Sequence, residues 1–476
     1  MSAPLWTWTD FANAIGGDLV GTPDDAVTGI SIDSRAISAG EAFFAIKGDQ
    51  FDGHDFVDAA LKAGAAIAVV DTDWAGKNTD HKGPLLVVPD VLDGMRKLAR
   101  AARARSNAKI IAVTGSVGKT GTKEALRIGL SASGAVHAAV ASFNNHWGVP
   151  LTLARMPADA EFGVFEIGMN HPGEITLLVE MVQPHIAVIT TVAPVHLEYF
   201  SSVEEIARAK AEIFSGLRPG GTALLNADID HFKLLKKLAK SAGVQNITTF
   251  GEAVGSDARL DKTVLHANCS CVTATILGDQ LVYKLGAPGK HVVQNSLAVL
   301  AAIKVAGGDL AKGALALADL APPKGRGARH SLQVATGRAT LIDESYNANP
   351  ASMAAAIALL GQAPIGPRGR RIAVLGDMLE LGSASDDLHS KLIDDITAAG
   401  IDRVYLAGPH MAALWEKLPA TNQGAYAADA EALQSQVIKA LAPGDAMMVK
   451  GSLGSRMGPI VTALLDRYAT QQPVSV

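Results

Sequence analysis

Short, almost unbroken apolar runs recur along the chain, each closed by glycine or a polar turn and followed by apolar residues at helical spacing. In the first 88 residues the runs at 42–46 and 65–70 read as strands, and the segment 56–63 between them reads as a helix. Pro89 and the basic helical segment 95–105 read as a linker into new structure. A second series then opens, with strands predicted at 109–113, 162–167, 186–189 and 222–225 and helices between them, including an amphipathic helix at 203–217. These strands lack polar alternation, so both faces must be buried, and strand–helix–strand repetition supplies the covering layers of a mostly parallel sheet. The sequence PPKGRG at 322–327 interrupts the pattern. It then resumes with strands at 371–376, 404–408 and 446–451, each ending in glycine. The expectation is an α/β protein of three domains, at 1–88, 89–325 and 326–476.

Length agrees with that division, because 476 residues at roughly 150 per domain give about three. Charged residues are 19% of the chain and hydrophobic residues 48%, which excludes a disordered polypeptide. A net charge of −5 leaves no overall basic footprint for nucleic acid, and none is expected as a partner. The two cysteines, Cys269 and Cys271, are too few for a zinc site and too close on one strand for a disulfide, so free thiols are expected. No signal-like N-terminus and no apolar run of about 18 residues is present, so the expectation is a cytoplasmic protein without a membrane span.

The chemistry concentrates after the strand at 109–113. Thr114, Gly115, Ser116, Val117, Gly118, Lys119 and Thr120 lie between that strand and a helix, which is the context a phosphate-binding loop requires. Backbone N–H groups at the helix start would cradle an anion. Lys119 would reach the β- and γ-phosphates, and the Thr120 hydroxyl would serve Mg²⁺. Val113 stands where the strict pattern has its first glycine, so the loop is a shortened variant. Glu166 ends a predicted strand, where a parallel sheet forms its ligand crevice. His196 follows the strand at 186–189, Asn144 and Asn145 follow another strand end, and Lys210 lies in the amphipathic helix. On position alone each of these also fits an ordinary structural role. A P-loop kinase, a nucleotide switch or a non-catalytic nucleotide scaffold would account for the loop as well.

Motifs in a fixed order decide among these readings. TGSVGKT, NNHWGVP, EIGMNHPGEI, VAPVHLEYF with AKAEIF, GKHVVQN, GRGARH and DESYNANP follow one another along nearly the whole chain, and together they resemble the Mur ligases, ATP-dependent ligases of peptidoglycan precursor synthesis. The resemblance implies a central P-loop ATPase-like domain and a Rossmann-like C-terminal domain. It implies ATP and Mg²⁺ as cofactors, with Lys119, Lys210, His196 and Glu166 as catalytic residues. Thr120, Glu166, His196 and Lys210 are the implied metal-binding set, and Lys210 matches the family's N-carboxylated lysine. A carbamate there converts a cation that would repel Mg²⁺ into a carboxylate-like anion. Asn295, Arg326 and Asp343 match the family's adenine, ATP and ribose contacts, although the usual Asp-Asp reads Asp343-Glu344 here.

The terminal segments specify the branch. IDSR at 32–35 and the motifs around 40–56 resemble the uridine-nucleotide domain of the later family members, which implies substrate contacts at Ser34, Arg35, Lys47, Gly48, His54 and Asn144. Folylpolyglutamate synthases, which resemble the later domains, start close to the P-loop and lack the 108 residues that precede Lys109 here. The diaminopimelate- or lysine-adding branch carries an Asp-Asn-Pro-Arg signature that is absent. LGDMLELG at 375–382 and VKGS at 449–452 match the branch that adds D-alanyl-D-alanine, with Asp377, Lys450 and Arg456 as the implied dipeptide residues. The implied reaction joins D-alanyl-D-alanine to UDP-N-acetylmuramoyl-tripeptide through an acyl phosphate, in a monomeric enzyme.

Overall fold

The computed structural model describes residues 4–23, 26–48, 51–195, 198–266, 268–335 and 337–468. Three principal sheets follow one another along the chain. The first has five strands in the order Asp18–Val20, Leu85–Val88, Ile67–Asp71, Glu41–Phe44 and Gly29–Ser31, parallel except for the first pair. The helix Val91–Arg105, capped by the Asp90 carboxylate accepting from the Asp93 amide at 2.6 Å, buries Met95, Leu98 and Ala102 against Phe11, Phe44 and Leu86 of this unit. The basic segment expected as a linker is therefore part of the first hydrophobic core, because Val91, Met95, Leu98 and Ala102 recur at helical spacing and share one face.

Among the described residues the second sheet has nine strands. At its centre the strand Lys109–Thr114 lies between Phe162–Glu166 and Ile186–Ile189, parallel to both. Ile110, Ile111, Ala112 and Val113 are all fully buried, which explains their unbroken apolar pattern. The chain leaves Lys109–Thr114 toward one edge, returns through Phe162–Glu166 and only then crosses to Ile186–Ile189. That reversal opens a crevice at the C-terminal ends of the central strands. The far edge is antiparallel, formed by Ala258–Leu265, Ser270–Ile276 and Asp279–Leu285. The expected helix at 203–217 is α-helical over Val203–Ala211 and tightens to a 3₁₀ turn at Glu212–Phe214.

The third sheet orders its strands Ala328–Val334, Gly337–Glu344, Ala446–Lys450, Arg371–Gly376, Arg403–Ala407 and Gln423–Ala427, with only the first pair antiparallel. Ala446–Lys450, the last strand, inserts between Gly337–Glu344 and Arg371–Gly376, so a second crevice opens beside Glu344 and Lys450. Among the described residues no helix is long and apolar enough to cross a membrane. Both cysteines are free thiols.

Candidate active site

The turn after Lys109–Thr114 is built from backbone that only glycine tolerates. Gly115 has φ 149° and Gly118 φ 90°; a Cβ on the first would collide with the Thr190 hydroxyl, and one on the second with the Asn295 amide. The neighbouring strand end clamps this turn. Thr190 Oγ1 donates to the Val117 carbonyl at 2.6 Å, the Ser116 amide donates to the Thr191 carbonyl at 2.9 Å, and the Ala193 amide donates to Ser116 Oγ at 2.9 Å. The helix Lys119–Ser131 starts directly from Gly118, so its free N–H groups face the crevice. Lys119 Nζ curls back onto the Gly115 carbonyl at 2.6 Å. Burial lowers its pKa, Glu166 opposes that shift, and Arg326 across the cleft adds to it.

Glu166 is 2% exposed and sits beside this loop. Its Oε1 accepts from Asn144 Nδ2 at 2.7 Å and from Thr120 Oγ1 at 3.2 Å, and Thr120 Oγ1 also lies 3.1 Å from Ser142 Oγ. Its Oε2 is buried with no hydrogen-bond partner among the described residues. A buried carboxylate oxygen left without a donor, next to a hydroxyl, is a hard oxygen pair that suits Mg²⁺. Lys210 is 2% exposed, and no hydrogen bond or ion pair joins its side chain to another described residue. Burial, with Lys119 as a second and smaller cause, lowers its pKa well below the usual lysine value. His196 lies outside the described residues. Among the described residues no group of three or more His, Cys, Asp or Glu side chains is placed to hold a metal ion.

The P-loop faces the C-terminal domain across a cleft of about 680 Å³, lined from both sides. Asn295, on the helix Lys290–Val305, forms part of its middle-domain wall. Arg326 forms part of the opposite wall, its guanidinium 4.4 Å above the Tyr346 ring. Glu344 and Lys450 also line it, with Lys450 Nζ 3.3 Å from Glu344 Oε2.

Asp343 is buried and does not line the cleft. Its carboxylate accepts from the Gly325 amide at 3.0 Å and from Ser345 Oγ at 2.6 Å, fastening the domain junction behind the cleft wall. Successive residues of a strand point to opposite faces, so Glu344, its neighbour, is the carboxylate that faces the cleft. Asn144, expected at the uridine substrate, is bonded to Glu166 in the P-loop site, while Asn145 Oδ1 accepts from the Gly148 amide at 2.9 Å at the start of the next helix.

The remaining expected residues lie apart from the cleft. In the first domain, Ser34 and Arg35 form a single 3₁₀ turn, and the exposed Arg35 pairs with Asp33 at 2.8 Å. Lys47 and Gly48 are exposed on a loop, with Lys47 Nζ 3.9 Å from Asp52. His54 is buried and both ring nitrogens are engaged: Nδ1 contacts Asp52 Oδ1 at 2.6 Å, and Nε2 accepts from the Asp71 amide at 3.1 Å. That pairing makes His54 a staple of the domain. Asp377 is buried and accepts from the Met411 amide at 3.1 Å, and burial raises its pKa. Arg456 is exposed, in the left-handed region at φ 53°. Sequence reasoning did not single out Thr190, Ser142 or Tyr346. Thr190 follows a predicted buried strand, and that position was the available signal.

A parallel-sheet P-loop domain whose cleft is completed by a second α/β domain defines a nucleotide-using α/β enzyme. Three family descriptions match the chain: "Mur ligase family, catalytic domain" over 26–105, "Mur ligase middle domain" over 113–303 and "Mur ligase, glutamate ligase domain" over 329–453. The UDP-N-acetylmuramoyl-tripeptide–D-alanyl-D-alanine ligase of Escherichia coli (strain K12) is 33% identical over 462 residues, covering 97% of this chain and 98% of its own. The enzyme of the same name from Rickettsia prowazekii is 33% identical over 91% of this chain and 94% of its own. The crystal structure of MurF from Acinetobacter baumannii superposes with a TM-score of 0.82 at 30% identity, covering 98% of this chain and 100% of that one. MurF ligase from Thermotoga maritima, solved in complex with ADP, gives 0.73 at 26% identity over 92% and 98% of the two chains. The chain belongs to the Mur ligase family.

Proposed function

We propose that the protein is an ADP-forming ligase that joins D-alanyl-D-alanine to UDP-N-acetylmuramoyl-tripeptide. The substrates follow from the names of relatives that match nearly end to end. The observation that carries the chemistry is the P-loop with Lys119, Thr120 and the half-satisfied Glu166, set against a wall containing Arg326, Glu344 and Lys450. A carboxylate is a poor electrophile at neutral pH and must first be phosphorylated. Its oxygen attacks the γ-phosphorus of ATP, ADP leaves, and the amine of the dipeptide then displaces phosphate from the acyl carbon. Lys119 and Arg326 hold the polyphosphate from opposite sides, and the two-domain cleft keeps water from the acyl phosphate.

Thr120, Glu166 and Lys210, with His196, would hold Mg²⁺, which when bound neutralises charge on the transferring phosphoryl group. Lys210 suits that role as a carbamate. A buried amine with a depressed pKa is neutral enough to add CO₂, losing one proton and gaining a carboxylate-like anion. Residues 1–88 take the uridine nucleotide, 89–325 the ATP and 326–476 the dipeptide, in a cytoplasmic monomer that needs no nucleic-acid partner. The test is phosphate release from ATP. Full-rate release is expected only when UDP-N-acetylmuramoyl-tripeptide and D-alanyl-D-alanine are both present. Full-rate release without the dipeptide would identify a kinase or a nucleotide switch and end this proposal.

A further inference from the structure

The Lys450 side chain ends the strand Ala446–Lys450 but does not extend into open space. It is 2% exposed, and its ammonium donates to the Asn347 carbonyl at 2.9 Å while pairing with Glu344 at 3.3 Å. Two positions on, Ser452 Oγ donates to the Ala348 carbonyl at 3.3 Å and accepts from the Leu379 amide at 3.0 Å, and the Ser452 amide donates to the Asp377 carbonyl at 3.1 Å. Residues 450–452 therefore grip two loops at once. The first, 344–349, supplies Glu344, Tyr346, Asn347 and Asn349 to the nucleotide cleft. The second, 377–382, meets the middle domain, where the Glu380 carbonyl accepts from the Glu198 amide at 3.2 Å.

We infer that Lys450, assisted by Ser452, is a positioning residue: it fixes the 344–349 loop for the nucleotide and ties that loop to the domain contact at Glu380, and does not bind the incoming dipeptide. Two of its three N–H donors serve that loop, and a buried lysine released from those partners would be left uncompensated. The inference rests on the cleft being a nucleotide site, as proposed above.

Two readouts need no peptide substrate, and a third is the KM for D-alanyl-D-alanine in steady-state phosphate release. Binding of a fluorescent ADP analogue with Mg²⁺ and hydrogen exchange of the nucleotide-free protein over 344–352 are compared for the parent chain, Lys450→Met, Lys450→Arg and Ser452→Ala. Lys450→Met is expected to raise the Kd about tenfold or more and to speed exchange in that segment. Lys450→Arg should recover most of both. Ser452→Ala, which removes only a hydroxyl, should move both in the same direction by about threefold and serves if Lys450→Met does not fold. A lysine that only touches a ligand would leave exchange in the free protein unchanged. Parent-like nucleotide binding and exchange in the variants would overturn the inference, as would a rise confined to the KM for D-alanyl-D-alanine. Failure of the parent chain itself to bind the analogue would instead remove the nucleotide reading of the cleft.

Discussion

At the scale of single residues, burial separates a working lysine from a surface one. Lys210 falls in a helix whose Arg208 is exposed and paired with Glu204 at 2.7 Å, so the sequence places both cations in the same amphipathic pattern. Only the fold buries Lys210 without a compensating anion among the described residues and puts it close enough to Lys119 for the two charges to oppose each other. That environment favours the neutral amine, and the carbamate proposed above would relieve the repulsion. Lys210→Ala should therefore lose activity by orders of magnitude, and short-chain carboxylic acids should restore part of it by supplying the missing anion. Steady-state phosphate release, titrated with acetate, measures this. No rescue at any concentration, together with no dependence of the parent enzyme on dissolved CO₂, would remove the carbamate.

At the scale of elements, contiguous features were legible and side-chain facing was not. The strand, turn and helix of the P-loop are adjacent in sequence, so motif and structure coincide there. The antiparallel strands over 258–285 escaped because one face is partly wet: Ser270–Ile276 alternates buried positions with exposed or half-buried ones and so lacks the unbroken apolar run that marks the central strands. Asp343 and Glu344 differ by one position, and the strand pleat alone decides which one enters the cleft.

The same logic gives the strand that carries the P-loop a pH-sensitive fastening. His185 Nδ1 accepts from the Ile110 amide at 2.9 Å, and burial, reinforced by Arg103, Lys109 and Arg218, holds its pKa down to about 4. An unfolded histidine titrates near 6.5, so the contribution is complete above that pH and is lost as pH falls toward 4. The full shift corresponds to about 3 kcal/mol, and partial exposure of the ring reduces this to roughly 1–2 kcal/mol. Urea unfolding at pH 7 and pH 4.5 should show the parent losing about 1 kcal/mol more than His185→Gln across that interval. Equal losses in the two proteins would mean that His185 does not titrate in this way.

At the scale of the whole molecule, the two domain contacts are built differently. The first domain is riveted to the second: Trp6 Nε1 donates to the Ala154 carbonyl at 3.1 Å, Arg105 lies 3.3 Å over the Trp6 ring, and Arg155 Nε donates to the Ile30 carbonyl at 2.6 Å. Leu151 and Ala154 of the middle domain join the first domain's own hydrophobic core. The third domain instead meets the second across the open cleft, through the junction at 322–327 and a backbone contact between Glu198 and Glu380. A ligand that touches both walls must then stabilise their closed arrangement by its differential affinity. Lys324 stands exposed in the junction, between the cleft-lining Pro323 and the buried Gly325, and offers trypsin a site whose cleavage requires local opening. Cleavage after Lys324 should slow about tenfold or more when ADP and Mg²⁺ are present at a hundred times their Kd, because bridging the walls suppresses the open population by up to that factor. Nicking at an unchanged rate, under conditions where nucleotide binding is measured independently, would mean that the nucleotide is held by the middle domain alone and that Arg326, Glu344 and Tyr346 take no part in holding it.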